Sequence, residues 1–336
     1  MRYGAKRFRR AGAAGRWKRR LLGIATMSLI LSLAGGGVAS AAPLATPAHR
    51  APSGGYDELW VPSSMGPIKV QVQWAARGGN AALYLLDGLR ARNDSNAWLF
   101  ETNALQQFAN DNVTLVMPVG GESSFYTDWY SPSNFNGQPI TYKWETFLTQ
   151  ELPAFLEGYG VSRTNNAVAG LSMGGTAALT LAAYHRDQFR YAAAYSGYLS
   201  ISAPGMRSAI RIAMLDAGGY NVDNMWGPPW DPAWLRNDPF VFAPLLAGLP
   251  MYVSAGLGIP GPPDAPTSLI GAYNTSNAMA LEALAQVNTR AFQIRLATLG
   301  IPAQFDFPII GTHSWAYWEG ELWKSRGPIL DALNAH

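Results

Sequence analysis

The chain reads as an α/β protein in which a parallel or mixed sheet carries helices on both faces. Two observations predict this class. Short, continuously apolar runs end in turn chemistry, as Ala82–Leu86 does at Asp87-Gly88 and Val113–Met117 at Pro118 and Gly120-Gly121; strands buried on both faces look like this. Segments with helical spacing alternate with those runs along the chain, and such alternation implies parallel strands joined by crossover helices. The composition agrees: 48% of the 336 residues are hydrophobic and 14% charged, too apolar for a disordered chain. One large domain is expected, since α/β domains reach this size undivided.

Taken in order, residues 1–41 have the three parts of a secretory signal peptide: a basic stretch ending at Arg20, an apolar run Leu21–Leu33, and the small-residue sequence Val38-Ala39-Ser40-Ala41 for cleavage before Ala42. The apolar run is shorter than the ~20 residues that span a bilayer. No other long apolar run follows, so a secreted or envelope protein with no transmembrane span after cleavage is expected. The same 41 residues hold nine of the 25 basic side chains and no acid, so the formal charge of +3 conceals a body with sixteen basic and 22 acidic residues. The basic character belongs to the leader and argues for no nucleic-acid partner. With no cysteine in the chain, disulfides, Cys-based zinc sites, Fe–S clusters and a thiol nucleophile are excluded.

Residues 42–55 form a Pro/Ala/Gly linker expected to be mobile, and 56–336 the single domain. Ile68–Trp74 alternates with period two, as a half-buried strand does, and the buried runs Ala82–Leu86 and Val113–Met117 follow. Trp98–Ala109 and Trp144–Leu156 have helical spacing, the latter bent by Pro153. Ala167–Ala169 is the next strand and Gly175–His185 an Ala-rich helix. Strands at Tyr191–Tyr195 and Met251–Ala255, a helix at Asn277–Leu299 and a strand at Phe305–Phe307 complete the pattern. Residues 216–240, rich in Trp, Pro, Gly and Asp, read as a structured insertion or loop.

Gly170-Leu171-Ser172-Met173-Gly174 lies between strand and helix, where a nucleophile elbow requires G-x-S-x-G. Side chains at the glycine positions of so tight a turn would collide with the neighbouring strand and helix. Ser172 is then held at a helix N-terminus that favours a developing oxyanion, with the Met173 N–H as one donor. The rival reading is an incidental serine in a glycine-rich turn. A serine needs a base, and elimination among four histidines leaves one. His49 is in the linker, His336 is the last residue, and His185 closes the helix that starts at Ser172, far from the nucleophile. His313, in a turn after the last strand, is where the order Ser…acid…His puts the base. The acid lies between them, among Asp187, Asp216, Asp223, Asp231, Asp238, Asp264, Glu282 and Asp306, and spacing does not choose. No P-loop, dinucleotide fingerprint or cluster of metal ligands is present, and no cofactor is expected.

Leu86–Arg90 (LDGLR), Met117–Gly121 (MPVGG), Ser123–Tyr126 (SSFY), Asp128–Tyr130 (DWY), Thr141–Phe147 (TYKWETF), Gly170–Met173, Asp216–Tyr220 (DAGGY), Met225–Pro228 (MWGP), Arg236–Pro239 (RNDP), Phe305–Pro308 (FDFP) and Gly311–Trp315 (GTHSW) together resemble the antigen 85 family of mycolyltransferases, over about residues 56–330. The resemblance implies the α/β-hydrolase fold and an acyl transfer from trehalose monomycolate to a second trehalose monomycolate or to cell-wall arabinogalactan. It implies Ser172 as nucleophile, His313 as base and Glu282 as acid, the last because Leu281-Glu282 and Phe292-Gln293 keep the family's spacing. It adds the Leu89 N–H as the second oxyanion donor, Asp87 and Arg90 as sugar-holding positions, and Trp315 as an aromatic lining the acyl or sugar site. Glycolipids and arabinogalactan are the implied partners and a monomer the expected state. The chain departs from the family in lacking the cysteine pair before TYKWETF, in having Ala255 at a later cysteine position, in Gly174-Gly175, in one missing residue between Glu282 and His313, and along Gly256–Ala272. The rival functions are a secreted serine carboxylesterase on the same fold and a non-catalytic envelope or adhesion protein.

Overall fold

The computed structural model describes residues 51–336; the predicted leader and residues 42–50 lie outside them. The elements, in order, are β1 (Tyr56–Val61), β2 (Ile68–Gln73), β3 (Ala81–Leu86), α1 (Ala97–Phe100), α2 (Ala104–Gln107), β4 (Val113–Pro118), α3 (Trp144–Thr146), α4 (Leu152–Glu157), β5 (Asn166–Leu171), α5 (Met173–Tyr184) and β6 (Phe189–Tyr195). Then come α6 (Met206–Gly218), α7 (Val222–Trp226), α8 (Ala233–Arg236), α9 (Pro239–Phe242), β7 (Met251–Ser254), α10 (Leu269–Thr298), β8 (Gln304–Asp306) and α11 (Trp315–Leu333). The eight strands make one sheet in the order β1-β2-β4-β3-β5-β6-β7-β8. β1 and β2 are antiparallel to their neighbours and every other pairing is parallel.

The alternation of side chains along a strand divides the core in two. On β3, Tyr84 and Leu86 join the core that holds α5 and Leu152, whereas Leu83 and Leu85 face the core that holds Trp98 and the α11 residues Leu322, Ile329 and Leu330. The strand is therefore apolar at every position. On the face that α5 covers, the small residues Ala192 and Ala194 of β6 let the helix pack close, and residues 173–183 of that helix are all buried. A helix enclosed on every side has no polar face to display.

Several local expectations are corrected. The segment expected to be one helix over Trp98–Ala109 is two short ones. Thr102 Oγ1 donates to the Trp98 carbonyl (2.5 Å) and accepts from the Ala104 N–H (3.1 Å), so a side chain takes over backbone partners and ends the first helix. The bend expected at Pro153 is a π-helical turn over Phe147–Glu151, after which Pro153 sits in the first turn of α4, where its missing N–H costs nothing. For residues 216–240, of the two readings given, the structured insertion holds. Asn221 and Asp238 accept from the N–H groups of Asp223 and Phe240 and launch α7 and α9, while Trp226 and Trp234 pack edge to face in the core at 5.1 Å. α10 starts eight residues before the predicted Asn277, capped by Ser268. β1, α6 and α11 were not predicted. Of the segment read as a mobile linker, residues 51–55 are held: Ala51 is buried, the Gly54 N–H donates to the Ala75 carbonyl (2.8 Å) and the Gly55 carbonyl accepts from the Trp74 N–H (2.9 Å). Among the described residues no helix is long and apolar enough to cross a membrane.

Candidate active site

β5 runs into α5 through a turn at Ser172, whose φ of 52° and ψ of −122° lie in a region side-chain-bearing residues avoid. The Ser172 N–H donates to the Tyr195 carbonyl of β6 (2.8 Å), which holds the strained residue in place. A Cβ at Gly170 would overlap the Gly174 carbonyl, and one at Gly174 would overlap the carbonyls of Leu86 and Asp87. The glycines are thus required by the close approach of β3, β5 and α5. Gly174→Ala is expected to cost about 3 kcal/mol, because backbone cannot move aside as a side chain can. A urea melt should show the midpoint falling with an unchanged slope.

His313 lies in the loop before α11 and Glu282 on α10, where Glu282 is 2% exposed. His313 Nδ1 and Glu282 Oε2 are 2.8 Å apart. Glu282 Oε1 accepts from Ser196 Oγ (2.7 Å) and from the Gly256 N–H (2.6 Å). With Glu282 as a carboxylate, every one of these contacts requires it to accept, so Nδ1 carries the proton and Nε2 is left as the acceptor. Trp318 stands edge-on to the imidazole at 4.9 Å and donates its indole N–H to Ser196 Oγ (2.9 Å). The chain Trp318–Ser196–Glu282–His313 fixes the ring from behind. Ser172 and His313 line one cavity of about 970 Å³, with no hydrogen bond between them in this structure. Such bonds are often long before substrate binds.

The other predicted residues line the same cavity: Asp87, Leu89, Arg90, Met173 and Trp315. Among the described residues the N–H groups of Leu89 and Met173 have no partner. The Leu89 loop is held by a second strained segment, in which Ser123, Phe125 and Tyr126 all have positive φ. The Ser123 N–H donates to the Leu89 carbonyl (2.8 Å) and Tyr126 Oη accepts from the Asp87 N–H (3.0 Å). Asp87 is 1% exposed and its carboxylate accepts from the Ala97 N–H at 3.0 and 3.2 Å. Burial pushes its pKa up to about 7, against the pull of that hydrogen bond. Arg90 is exposed at the cavity mouth and pairs with Asp216 of α6 at 2.5 Å. Trp315, the first residue of α11, packs edge to face on Trp98 and Trp318. One wall of the cavity is apolar, formed by Met206, Ile210 and Ala213 of α6 and by Leu281 and Leu284 of α10.

The remaining histidines lie elsewhere. His185 Nε2 contacts Glu145 Oε1 (2.9 Å), a carboxylate that also takes both terminal nitrogens of Arg236. His336 pairs with Asp331 at 2.7 Å, and His49 is outside the described residues. Two of the motifs quoted above, TYKWETF and RNDP, thus meet in a structural ion cluster. Sequence reasoning missed Ser196 and Trp318. The one available signal for Ser196 is its place just beyond the carboxyl end of a strand beside the nucleophile's, where ligand-facing residues of parallel sheets gather.

A strained serine at a strand–helix turn, with a Glu–His pair following in chain order on a mostly parallel eight-stranded sheet, defines a serine enzyme of the α/β-hydrolase fold. Residues 63–327 match the family described as "Putative esterase". The chain is 45% identical over 328 residues to the diacylglycerol acyltransferase/mycolyltransferase Ag85C of Mycobacterium avium, covering 96% of this chain and 90% of that protein. It is 45% identical to the Ag85B of Mycolicibacterium smegmatis, covering 92% of this chain and 94% of the relative. The crystal structure of MPT51 (FbpC1) of Mycobacterium tuberculosis superposes with a TM-score of 0.71 at 31% identity, covering 84% of this chain and all of that one. The chain belongs to the antigen 85 family of diacylglycerol acyltransferase/mycolyltransferases.

Proposed function

We propose that this chain transfers a mycoloyl group from trehalose monomycolate, through an acyl-enzyme on Ser172, to a second trehalose monomycolate or to arabinogalactan. His313 Nε2 takes the proton of Ser172 Oγ as that oxygen attacks the ester carbonyl. The Leu89 and Met173 N–H groups receive the oxyanion. The bond to the trehalose oxygen breaks and His313 returns the proton to it. The acceptor hydroxyl then repeats the sequence in reverse, its proton passing to His313 and on to Ser172. Glu282 holds the imidazole in the tautomer these steps need and stabilises its charged form. Asp87, Arg90 and Trp315 are assigned to the sugar end of the cavity, and the apolar walls of α6 and α10 to the acyl chain. The leader-like residues 1–41 support export to the envelope.

The observation that carries this reading is the Glu282–His313 pair, closed at 2.8 Å and lining the same cavity as Ser172. Transfer also requires the acceptor to outcompete water at ~55 M, which held orientation can achieve, since effective molarities of well-placed groups reach about 10⁵ M and above. Purified protein given labelled trehalose monomycolate is expected to release trehalose and form dimycolate in excess of free acid. Free acid alone would make the chain an esterase, and failure of a serine-directed phosphonate to label Ser172 would make it a binding protein.

A further inference from the structure

The segment between β7 and α10 touches both halves of the acid–base pair. At its start the Gly256 N–H donates to Glu282 Oε1 (2.6 Å). It then runs beside the His313 loop: the Gly258 N–H donates to the Gly311 carbonyl (2.9 Å), the Gly311 N–H to the Ile259 carbonyl (2.8 Å), and Ile259 and Ile310 form a parallel bridge. At its end stands Asp264. Oδ1 accepts from Thr312 Oγ1 (2.7 Å) and, more weakly, Ser314 Oγ (3.5 Å), while Oδ2 accepts from Tyr317 Oη (2.5 Å) and the Gly261 N–H (2.9 Å). Thr312 and Ser314 are the two neighbours of His313. Thr312 is fully buried, and among the described residues no cation pairs with Asp264. Four groups converge on one carboxylate: three are hydroxyls, which could also accept, and the Gly261 N–H can only donate, so the oxygen it meets must accept. Part-burial opposes the charge, yet the hydrogen bonds from Tyr317, Gly261 and Thr312 outweigh it and hold the carboxyl below its ordinary range. The far side of the loop is tied to α10, where the His313 N–H donates to the Ala278 carbonyl (3.1 Å) and Thr275 Oγ1 to the Asp264 carbonyl (3.1 Å).

We propose that Asp264 is a positioning residue for His313, clamping the backbone on both sides of the imidazole so that the ring stays between Glu282 and Ser172. This rests on the assignment of Ser172 and His313, and the test separates the two. Acylation is followed by the burst of p-nitrophenol from a p-nitrophenyl ester, using the intact exported enzyme. Asp264→Asn is expected to lower kcat by about 10–100-fold with KM within about twofold, because the amide loses the charge that strengthens all of these bonds and can place its nitrogen only away from the Gly261 N–H. Thr312→Val and Tyr317→Phe, which each remove one donor, are expected to lower kcat by about 3–10-fold and keep the inference testable if Asp264→Asn does not fold. In a His313→Ala background, Asp264→Asn should change the residual rate by less than about twofold, since a residue acting through the imidazole has nothing left to act on. Equal fold-losses with and without His313, or a wild-type kcat in all three single variants, would overturn the inference. An active His313→Ala enzyme would instead discard the base assignment itself.

Discussion

Ser172→Ala is expected to abolish acyl-enzyme formation and to lower kcat by about 10⁵–10⁶-fold, the loss seen when a nucleophile is removed from such a site. The fold should be untouched. Among the described residues the hydroxyl has no hydrogen-bond partner, alanine shares serine's difficulty with positive φ, and the residue is 7% exposed at a cavity wall. The thermal midpoint should therefore stay within a degree or two of the parent (roughly ±0.5 kcal/mol). Intact-protein mass spectrometry after treatment with a fluorophosphonate provides the check, with one adduct on the parent and none on the variant. Retained turnover in a correctly folded variant would remove Ser172 from the mechanism.

Glu282→Gln is expected to lower kcat by about 10³–10⁴-fold, for reasons visible in its surroundings. One carboxylate oxygen accepts from His313, and the other from Ser196 and Gly256. A glutamine must present its amino group to one side or the other. Turned toward His313, it forces the imidazole into the tautomer that cannot take the Ser172 proton. Turned away, it sets donor against the Gly256 N–H in a buried space. Asp306→Asn is the control. That carboxylate is engaged by Lys324 Nζ (2.7 Å) and Tyr252 Oη (3.3 Å) and does not line the cavity, so steady-state kcat should remain near the parent's. A mild effect at Glu282 together with a large one at Asp306 would reverse the assignment of the acid.

The parts of this site legible in the sequence are those whose chemistry is local. G-x-S-x-G announces its own turn, because steric demand at Gly170 and Gly174 is met within a few residues and the buried β3. His313 was reached by elimination, which works only because histidine is scarce here. The acid was not legible from spacing, since all eight candidates satisfy the chain order. Glu282 is distinguished by hydrogen bonds to residues 26 to 86 positions away, and it was the family resemblance that selected it. Ser196 and Trp318 were invisible for the same reason: each is ordinary in its own segment and is linked to Glu282 only when the sheet and α11 bring distant segments together. The Trp- and Pro-rich stretch 216–240 left two readings open, and the structured one holds. Two of its tryptophans, Trp226 and Trp234, are core residues, and Asn221 and Asp238 are helix caps. The segment Gly256–Ala272, read above as a departure from the family, carries contacts to Glu282 and to the His313 loop.

The pair formed by Arg90 and Asp216 has a consequence for traffic into the cavity. Both side chains are more than half exposed, so water and salt weaken their attraction. A guest rich in hydroxyl groups can part them by offering each ion a replacement partner, and they can rejoin behind it. Separating a pair so well solvated is expected to cost little, so the contact closes the rim of the cavity without locking it.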